Sequence, residues 1–207
     1  MNLGIKNKTA LVTGSSRGIG KSCAISLSKE GANVVICGRD KKTLTESLSE
    51  LKNINENTKG IVCDITDEKG LSNLVSEIND KLGNIDILVN NVGGSVKKEG
   101  IEGTDISDMN KAFDLNLTPT IKLMQLVIPD MKSQKWGRII NISSVYGREL
   151  GGNLSYMTAK AALNSITKHS AIDLAKHGIL INAVAPGPVF NLRGKSKMIF
   201  SYIYQEM

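Results

Sequence analysis

Short runs of apolar and β-branched residues alternate along this chain with longer stretches in which apolar positions recur every three or four residues. The runs are Ala10–Thr13, Val34–Cys37, Gly60–Cys63, Ile85–Asn90, Arg138–Ser143 and Leu180–Val184. Their apolar character is continuous and does not alternate in and out, which predicts parallel strands covered on both faces. Between them the period is helical. Ile19, Cys23 and Leu27 fall on one stripe that stops at Gly31, a residue suited to the position just past a helix end. A later helix is predicted from about Leu154 to Lys176, with Ala159, Leu163, Ile166, Ser170 and Leu174 on its buried side and Gly178 closing it. Strands joined by right-handed helical crossovers give an α/β fold, a doubly wound parallel sheet with helices on both faces. No linker, repeat or low-complexity segment divides the chain, so residues 1–207 are expected to form a single domain.

Composition narrows the class. With 207 residues, 41% hydrophobic and 22% charged, the chain has the balance of a globular protein. No stretch reaches the roughly 18–20 consecutive apolar residues of a membrane span. The start, MNLGIKNKTALV, has no apolar block with a small-residue cleavage site, so a cytoplasmic location without membrane association is expected. Cys23, Cys37 and Cys63 sit among apolar neighbours and read as small core residues, and no metal site is expected. The net charge of +6 favours an anionic partner, but the lysines are scattered and form no polybasic tract, which argues against nucleic acid.

Candidate chemistry begins at the first strand. Thr13-Gly14-Ser15-Ser16-Arg17-Gly18-Ile19-Gly20 places three glycines between a strand and a helix. That arrangement presents free backbone N–H groups and a positive helix end to a pyrophosphate, as in a Rossmann-type nucleotide site. Gly14 serves the sharp turn, Gly18 the close approach of phosphate, and Gly20 the close packing of the helix. The second strand ends Cys37-Gly38-Arg39, where a site for NAD would place an acid on the adenosine ribose. Arg39, with Arg17 in the glycine turn, suits a 2′-phosphate, because a guanidinium binds phosphate through two parallel hydrogen bonds. NADP(H) is therefore the expected cofactor, with NAD(H) as the alternative in which Asp40 merely caps the next helix.

Tyr156 and Lys160 lie four apart on one predicted helix and share a face. A phenol ordinarily holds its proton too tightly to exchange it near neutral pH. A lysine cation about 4 Å away, at an effective dielectric near 20, favours a phenolate by roughly 4 kcal/mol before desolvation. Ser143 and Ser144, at the end of a predicted strand about a dozen residues upstream, offer a hydroxyl for a substrate carbonyl oxygen.

Taken together these residues resemble the short-chain dehydrogenase/reductase family. The matching positions run in the family's order: Gly14, Gly18 and Gly20; Asp64; Asn90-Asn91-Val92-Gly93; Asn116; Ser144; Tyr156-x-x-x-Lys160; and Pro186-Gly187. The resemblance implies a catalytic set of Asn116, Ser144, Tyr156 and Lys160. Tyr156 would be the acid in reduction and the base in oxidation, Ser144 would polarise the carbonyl, and Asn116 would support a water relay through Lys160. It implies a cofactor site of Gly14, Ser16, Arg17, Gly18, Ile19, Gly20, Arg39, Asp64, Ile65, Asn90, Gly93, Pro186, Gly187 and Val189, joined by Tyr156 and Lys160. Asp64 would meet the adenine amino group and Asn90 the adenosine ribose region. Gly94, Ser95 and Ser144 are candidate substrate contacts, with Arg148 and Glu149 in a nearby loop.

The serine-to-tyrosine spacing is one residue shorter than the family's. Counting back from Tyr156 selects Ser143, whereas aligning on Gly147 selects Ser144, which a shortened loop favours over a shifted strand register. Asn191 stands where the family often has threonine. Past Asn191 the family normally continues through a substrate-covering helix and a seventh strand, so the sixth strand is expected as an exposed edge. A homodimer or homotetramer is the family's expectation. Among substrates, a 3-oxoacyl group on an acidic acyl carrier suits the basic charge, with sugar or polyol and steroid-like ketones as alternatives. A non-catalytic nucleotide-binding or regulatory protein is the competing class.

Overall fold

In the computed structural model, which describes residues 3–96 and 100–189, β1 (Thr9–Val12) is buried at all four positions. It pairs in parallel with β2 (Asn33–Gly38) on one side and with β4 (Ile87–Asn90) on the other. The sheet is completed by β3 (Lys59–Val62), β5 (Gly137–Ile142) and β6 (Ile179–Val184), in the order β3-β2-β1-β4-β5-β6. Each expected run is a strand, with ends displaced by a residue or two. The fourth starts at Ile87 because the carboxylate of Asp86 just before it accepts from the Thr9 backbone N–H (2.9 Å) and pairs with Lys8 Nζ (3.0 Å).

Successive residues of β1 serve opposite layers. Leu11 joins Val35, Leu88 and Ile139 against α3 (Glu68–Leu82) and α5 (Thr118–Gln134), where Leu74, Ile78, Leu123 and Met131 are buried. Ala10 and Val12 join Val34, Ile36, Ile87 and Val89 against α1 (Gly18–Lys29) and α2 (Lys41–Lys52). The period-2 alternation of a strand thus builds both halves of a doubly wound core. Truncating a large side chain such as Leu74 or Leu123 to alanine costs about 2–5 kcal/mol in such a layer.

The first helix corrects the sequence reading. Its fully buried stripe is Gly20, Ala24 and Ser28, while Ile19, Cys23 and Leu27 lie one position round and pack only partly. Small residues face the strands because the helix backbone runs close to them. The last long helix, α6 (Leu154–Leu174), buries Ala159, Leu163 and Leu174 as expected, while Ile166 and Ser170 are only half-buried. It continues as a 3-10 turn, Ala175–His177, and ends at Gly178 in the left-handed conformation, φ +74°.

Cys37 and Cys63 are buried and Cys23 half-buried, all as free thiols. Burial pushes the Cys37 thiol up to about 12 and the Cys63 thiol up to about 11, consistent with core packing. Among the described residues β6 is a sheet edge, with Leu180 48% and Val184 50% exposed. Asn191 and the chain after it lie outside the described residues. No helix among the described residues is long and apolar enough to cross a membrane.

Candidate active site

The turns at the carboxyl ends of the strands line one cleft of about 1370 Å³. Its floor starts at the glycine turn. Gly14 takes φ +60° and Gly18 φ +57°, conformations that other residues rarely adopt. A Cβ at Gly18 would meet nothing within 4 Å, so that glycine answers to backbone geometry and leaves open space before the start of α1. A Cβ at Gly20 would come within 2.5 Å of Asn91 Nδ2 and 2.6 Å of the Gly14 carbonyl oxygen, which is the close packing its position suggested. Arg17 occupies the N-cap of α1 without a side-chain cap bond. The first N–H groups of the helix are left to whatever enters the cleft, an arrangement that favours an anion. The turn is held from behind. Ser15 Oγ donates to the Val12 carbonyl oxygen (2.6 Å) and accepts from Cys37 N–H (3.0 Å), and Ser47 Oγ donates to the Ser16 carbonyl oxygen (2.8 Å).

At the end of β2, Arg39 lines the cleft and its guanidinium lies 3.7 Å from Asp64. Asp40 also lines it, but its carboxylate caps α2, accepting from Thr43 N–H at 2.7 Å. That bond holds the Asp40 carboxyl below the usual range. Asp64 is likewise held low by the Thr66 N–H, then by the Thr66 hydroxyl and the Arg39 guanidinium. Ser16, Gly18, Ile19 and Ile65 complete this half of the lining. Backbone donors and two guanidinium groups, with apolar flanks, fit the pyrophosphate of a dinucleotide.

The other half carries the proton chemistry. Asn153 caps α6 by accepting from Tyr156 N–H (3.2 Å), so Tyr156 stands in the first turn of the helix, half-buried and lining the cleft. One turn on, Lys160 is 2% exposed. Its Nζ donates to the Ile142 carbonyl oxygen at 2.8 Å and lies 5.8 Å from the centre of the Tyr156 ring. Burial pushes the Lys160 ammonium down to about 8. The two serines diverge. Ser143 Oγ donates to the Lys160 carbonyl oxygen (3.4 Å), whereas Ser144 Oγ accepts from Tyr146 N–H (3.2 Å) and so keeps its own proton for another partner.

Asn116 closes α4 (Ile106–Asn116), where the chain kinks at Leu117 before α5 begins at Thr118. Its amide is engaged by backbone: Oδ1 accepts from Gly94 N–H (2.9 Å), and Nδ2 donates to the carbonyls of Gly94 (3.0 Å) and Ala112 (2.9 Å). Gly93 leaves room for both Asn116 and Lys160, since a Cβ there would lie 2.7 Å from Asn116 Oδ1 and 2.9 Å from Lys160 Nζ. Gly94 and Ser95 line the cleft, as do Pro186, Gly187 and Val189 after β6, where the Pro186 carbonyl accepts from Val145 N–H (3.1 Å).

Several expected positions lie outside the cleft lining: Gly20 packs behind the glycine turn and Asn116 is 1% exposed, and three others go elsewhere. The Asn90 side chain is 4% exposed and turned into the sheet, donating to Asn141 Oδ1 (2.9 Å), and it is the following Asn91 that reaches the cleft. Strand alternation sends the two asparagines to different sides. Arg148 and Glu149 pair with each other at 3.3 Å, both exposed and away from the cleft lining. The sequence reading missed Asn91, which ties β4 to the glycine turn through Nδ2 to the carbonyls of Thr13 (3.0 Å) and Gly14 (3.1 Å). It missed Tyr146 as well, because an aromatic in a short loop carries no periodic signal. Among the described residues no cluster of histidine, cysteine and carboxylate groups could hold a metal ion.

Residues 8–193 match the short chain dehydrogenase family. Over 207 residues the chain is 34% identical to a 7alpha-hydroxysteroid dehydrogenase of Escherichia coli strain K12, covering all of this chain and 80% of that protein. Over 189 residues it is 36% identical to a 3-oxoacyl-acyl-carrier-protein reductase of Aquifex aeolicus, covering 90% of this chain and 76% of that one. The crystal structure of L-sorbose reductase from Gluconobacter frateurii, complexed with NADPH and L-sorbose, superimposes with a TM-score of 0.86 at 30% identity, covering 90% of this chain and 72% of that chain. Fold, motif order and relatives agree: this chain belongs to the short chain dehydrogenase family, oxidoreductases that act on alcohol and carbonyl groups with a nicotinamide dinucleotide.

Proposed function

We propose that the protein interconverts a carbonyl compound and its secondary alcohol with NADP(H), using Tyr156 as the proton donor and acceptor. The supporting observation is that Tyr156 and Ser144 line one cleft while Lys160 lies buried beneath the tyrosine ring. When bound, the reduced nicotinamide supplies a hydride, and with it an electron pair, to the carbonyl carbon. Ser144 donates a hydrogen bond to the carbonyl oxygen and orients it. Tyr156 gives its O–H proton to that oxygen, and Lys160 offsets the negative charge left on the phenol. Asn116 ties Gly94 to the end of α4. In the alcohol direction each transfer reverses.

Preference for NADP(H) is supported by the charges around β2. Asp40, the first acid after the strand, is committed to the α2 N-terminus, and Arg17 and Arg39 line the cleft. The test compares NADPH and NADH binding by nucleotide fluorescence and follows turnover on a ketone panel. Tyr156→Phe is expected to retain cofactor binding and lose turnover by about 100-fold or more. Cofactor binding with no turnover on any ketone would leave a nucleotide-binding protein in place of an enzyme.

A further inference from the structure

The two halves of the cleft differ in the chemistry of their linings. The charged side chains Arg17, Arg39, Asp40 and Asp64 all follow β1, β2 or β3, on one half of the sheet. The segments after β4, β5 and β6 contribute Ile101, Leu115 of α4, Tyr146, Leu150, Met157 of α6 and Val189. Among the described residues that half adds one charged group, Lys160, which lies buried under Tyr156 and bonded to a backbone carbonyl. Its other polar side chains are Asn91, Ser95, Ser143, Ser144, Asn153, Tyr156 and the Tyr146 hydroxyl, of which Asn91 is tied to the glycine turn. Ser143 is bonded to the α6 backbone, Asn153 caps α6, and Ser144 and Tyr156 surround the place of the reacting oxygen.

Tyr146 organises this apolar half. A Cβ at Gly151 would lie 2.5 Å from Tyr146 Cε1, and one at Gly152 would lie 3.3 Å from Tyr146 Cβ and 3.0 Å from Met157 Cγ. Gly151 adopts φ +141°. The paired glycines thus let the loop backbone lie directly on the ring, which fixes the ring as a flat wall two residues from Ser144.

We propose that the substrate carries an extended apolar body next to its carbonyl, and that Tyr146, seated on Gly151 and Gly152, selects for that body. The inference rests on the reading of Ser144 and Tyr156 as the reacting pair. A polyol entering here would lose hydration from several hydroxyls and, among the described residues, find few side chains to replace it. Apolar carbons gain by leaving water. The named relatives act on a steroid, an acyl-carrier thioester and a sugar, so kinship does not choose among them, whereas the lining favours the first two chemistries.

The experiment measures kcat/KM with NADPH for cyclohexanone, 2-decalone, L-sorbose and the 4- and 10-carbon 3-oxoacyl thioesters of N-acetylcysteamine. The expected results are a gain of about tenfold or more from cyclohexanone to 2-decalone or from the short thioester to the long one, and L-sorbose about 100-fold below the better of the long substrates. A gain with 2-decalone alone identifies a fused-ring body, and a gain with the thioester alone identifies an acyl chain. In Tyr146→Ala the gain should fall to about threefold or less with NADPH affinity unchanged, and Tyr146→Phe should keep it. Either L-sorbose turned over as well as 2-decalone and the long thioester, or a gain of unchanged size in folded Tyr146→Ala, overturns the proposal and leaves the oxidoreductase reading intact. Failure to bind either nucleotide and to reduce any of these compounds overturns both.

Discussion

Lys160 Nζ donates to the Ile142 carbonyl oxygen at 2.8 Å, joining the first turns of α6 to the last residue of β5 beside Ser143 and Ser144. The ammonium is thereby fixed under Tyr156 at the cost of leaving water. Its folded-state pKa of about 8 lies below the ordinary 10.5, so between those values the unfolded chain holds a proton that the folded chain does not. The penalty is fully present below about pH 8 and fades as pH rises toward 10.5. Lys160→Met should therefore stabilise the protein by about 1–3 kcal/mol near neutral pH and progressively less above about pH 8, while turnover falls by about 100-fold or more. Denaturant melts at several pH values check the sign, and a gap independent of pH would contradict it.

Gly93 supports the same lysine by lacking a side chain. Gly93→Ala places a methyl group against Asn116 Oδ1 and Lys160 Nζ and should cost about 1–3 kcal/mol. Turnover should drop about tenfold as Lys160 is displaced. At the neighbouring Gly94 a Cβ would meet only Leu115 Cδ2, at 3.9 Å, so the stability of Gly94→Ala should be nearly unchanged. Thermal melts of the pair make the comparison.

Arg39 and Asp64 form an exposed pair at 3.7 Å, so Arg39→Ala should shift stability by less than about 1 kcal/mol. The same substitution should weaken NADPH binding by about tenfold and NADH binding by about twofold or less. Equal losses for both nucleotides, measured by titration, would remove Arg39 from recognition of the 2′-phosphate.

Asn141 links three elements inside the molecule. It accepts from Asn90 of β4 and donates from β5 to Thr167 of α6, both at 2.9 Å. Asn141→Leu leaves the Asn90 amide and the Thr167 hydroxyl buried without that partner and should cost about 2–4 kcal/mol. Adding Asn90→Leu should recover part of the loss, because it removes a polar group that the first change stranded. A double-mutant cycle by chemical denaturation measures the recovery, and strictly additive losses would deny the coupling.

The strands were legible because a buried parallel strand must be apolar on both sides, and such runs as Val34–Cys37 have no competing explanation. The glycine turn, Tyr156 and Lys160 were legible because their spacing carries their geometry. The α1 stripe was misread because hydropathy ranks Ile19 and Leu27 above Gly20 and Ala24, although close approach to a sheet rewards small volume. Asn90 was misplaced because a motif read as a string hides the alternation that separates it from Asn91. Tyr146 emerged only in three dimensions, through two glycines that sequence reading assigns to a loop.

The divergence of Ser143 and Ser144 has a consequence for loop length. Both serines line the cleft, but only Ser143 is tied to the α6 backbone, and which one is tied is fixed by strand register upstream of residues 147–152. The wall built by residues 147–152 can therefore change length while Ser144 keeps its register, provided Asn153 still caps α6 at Tyr156.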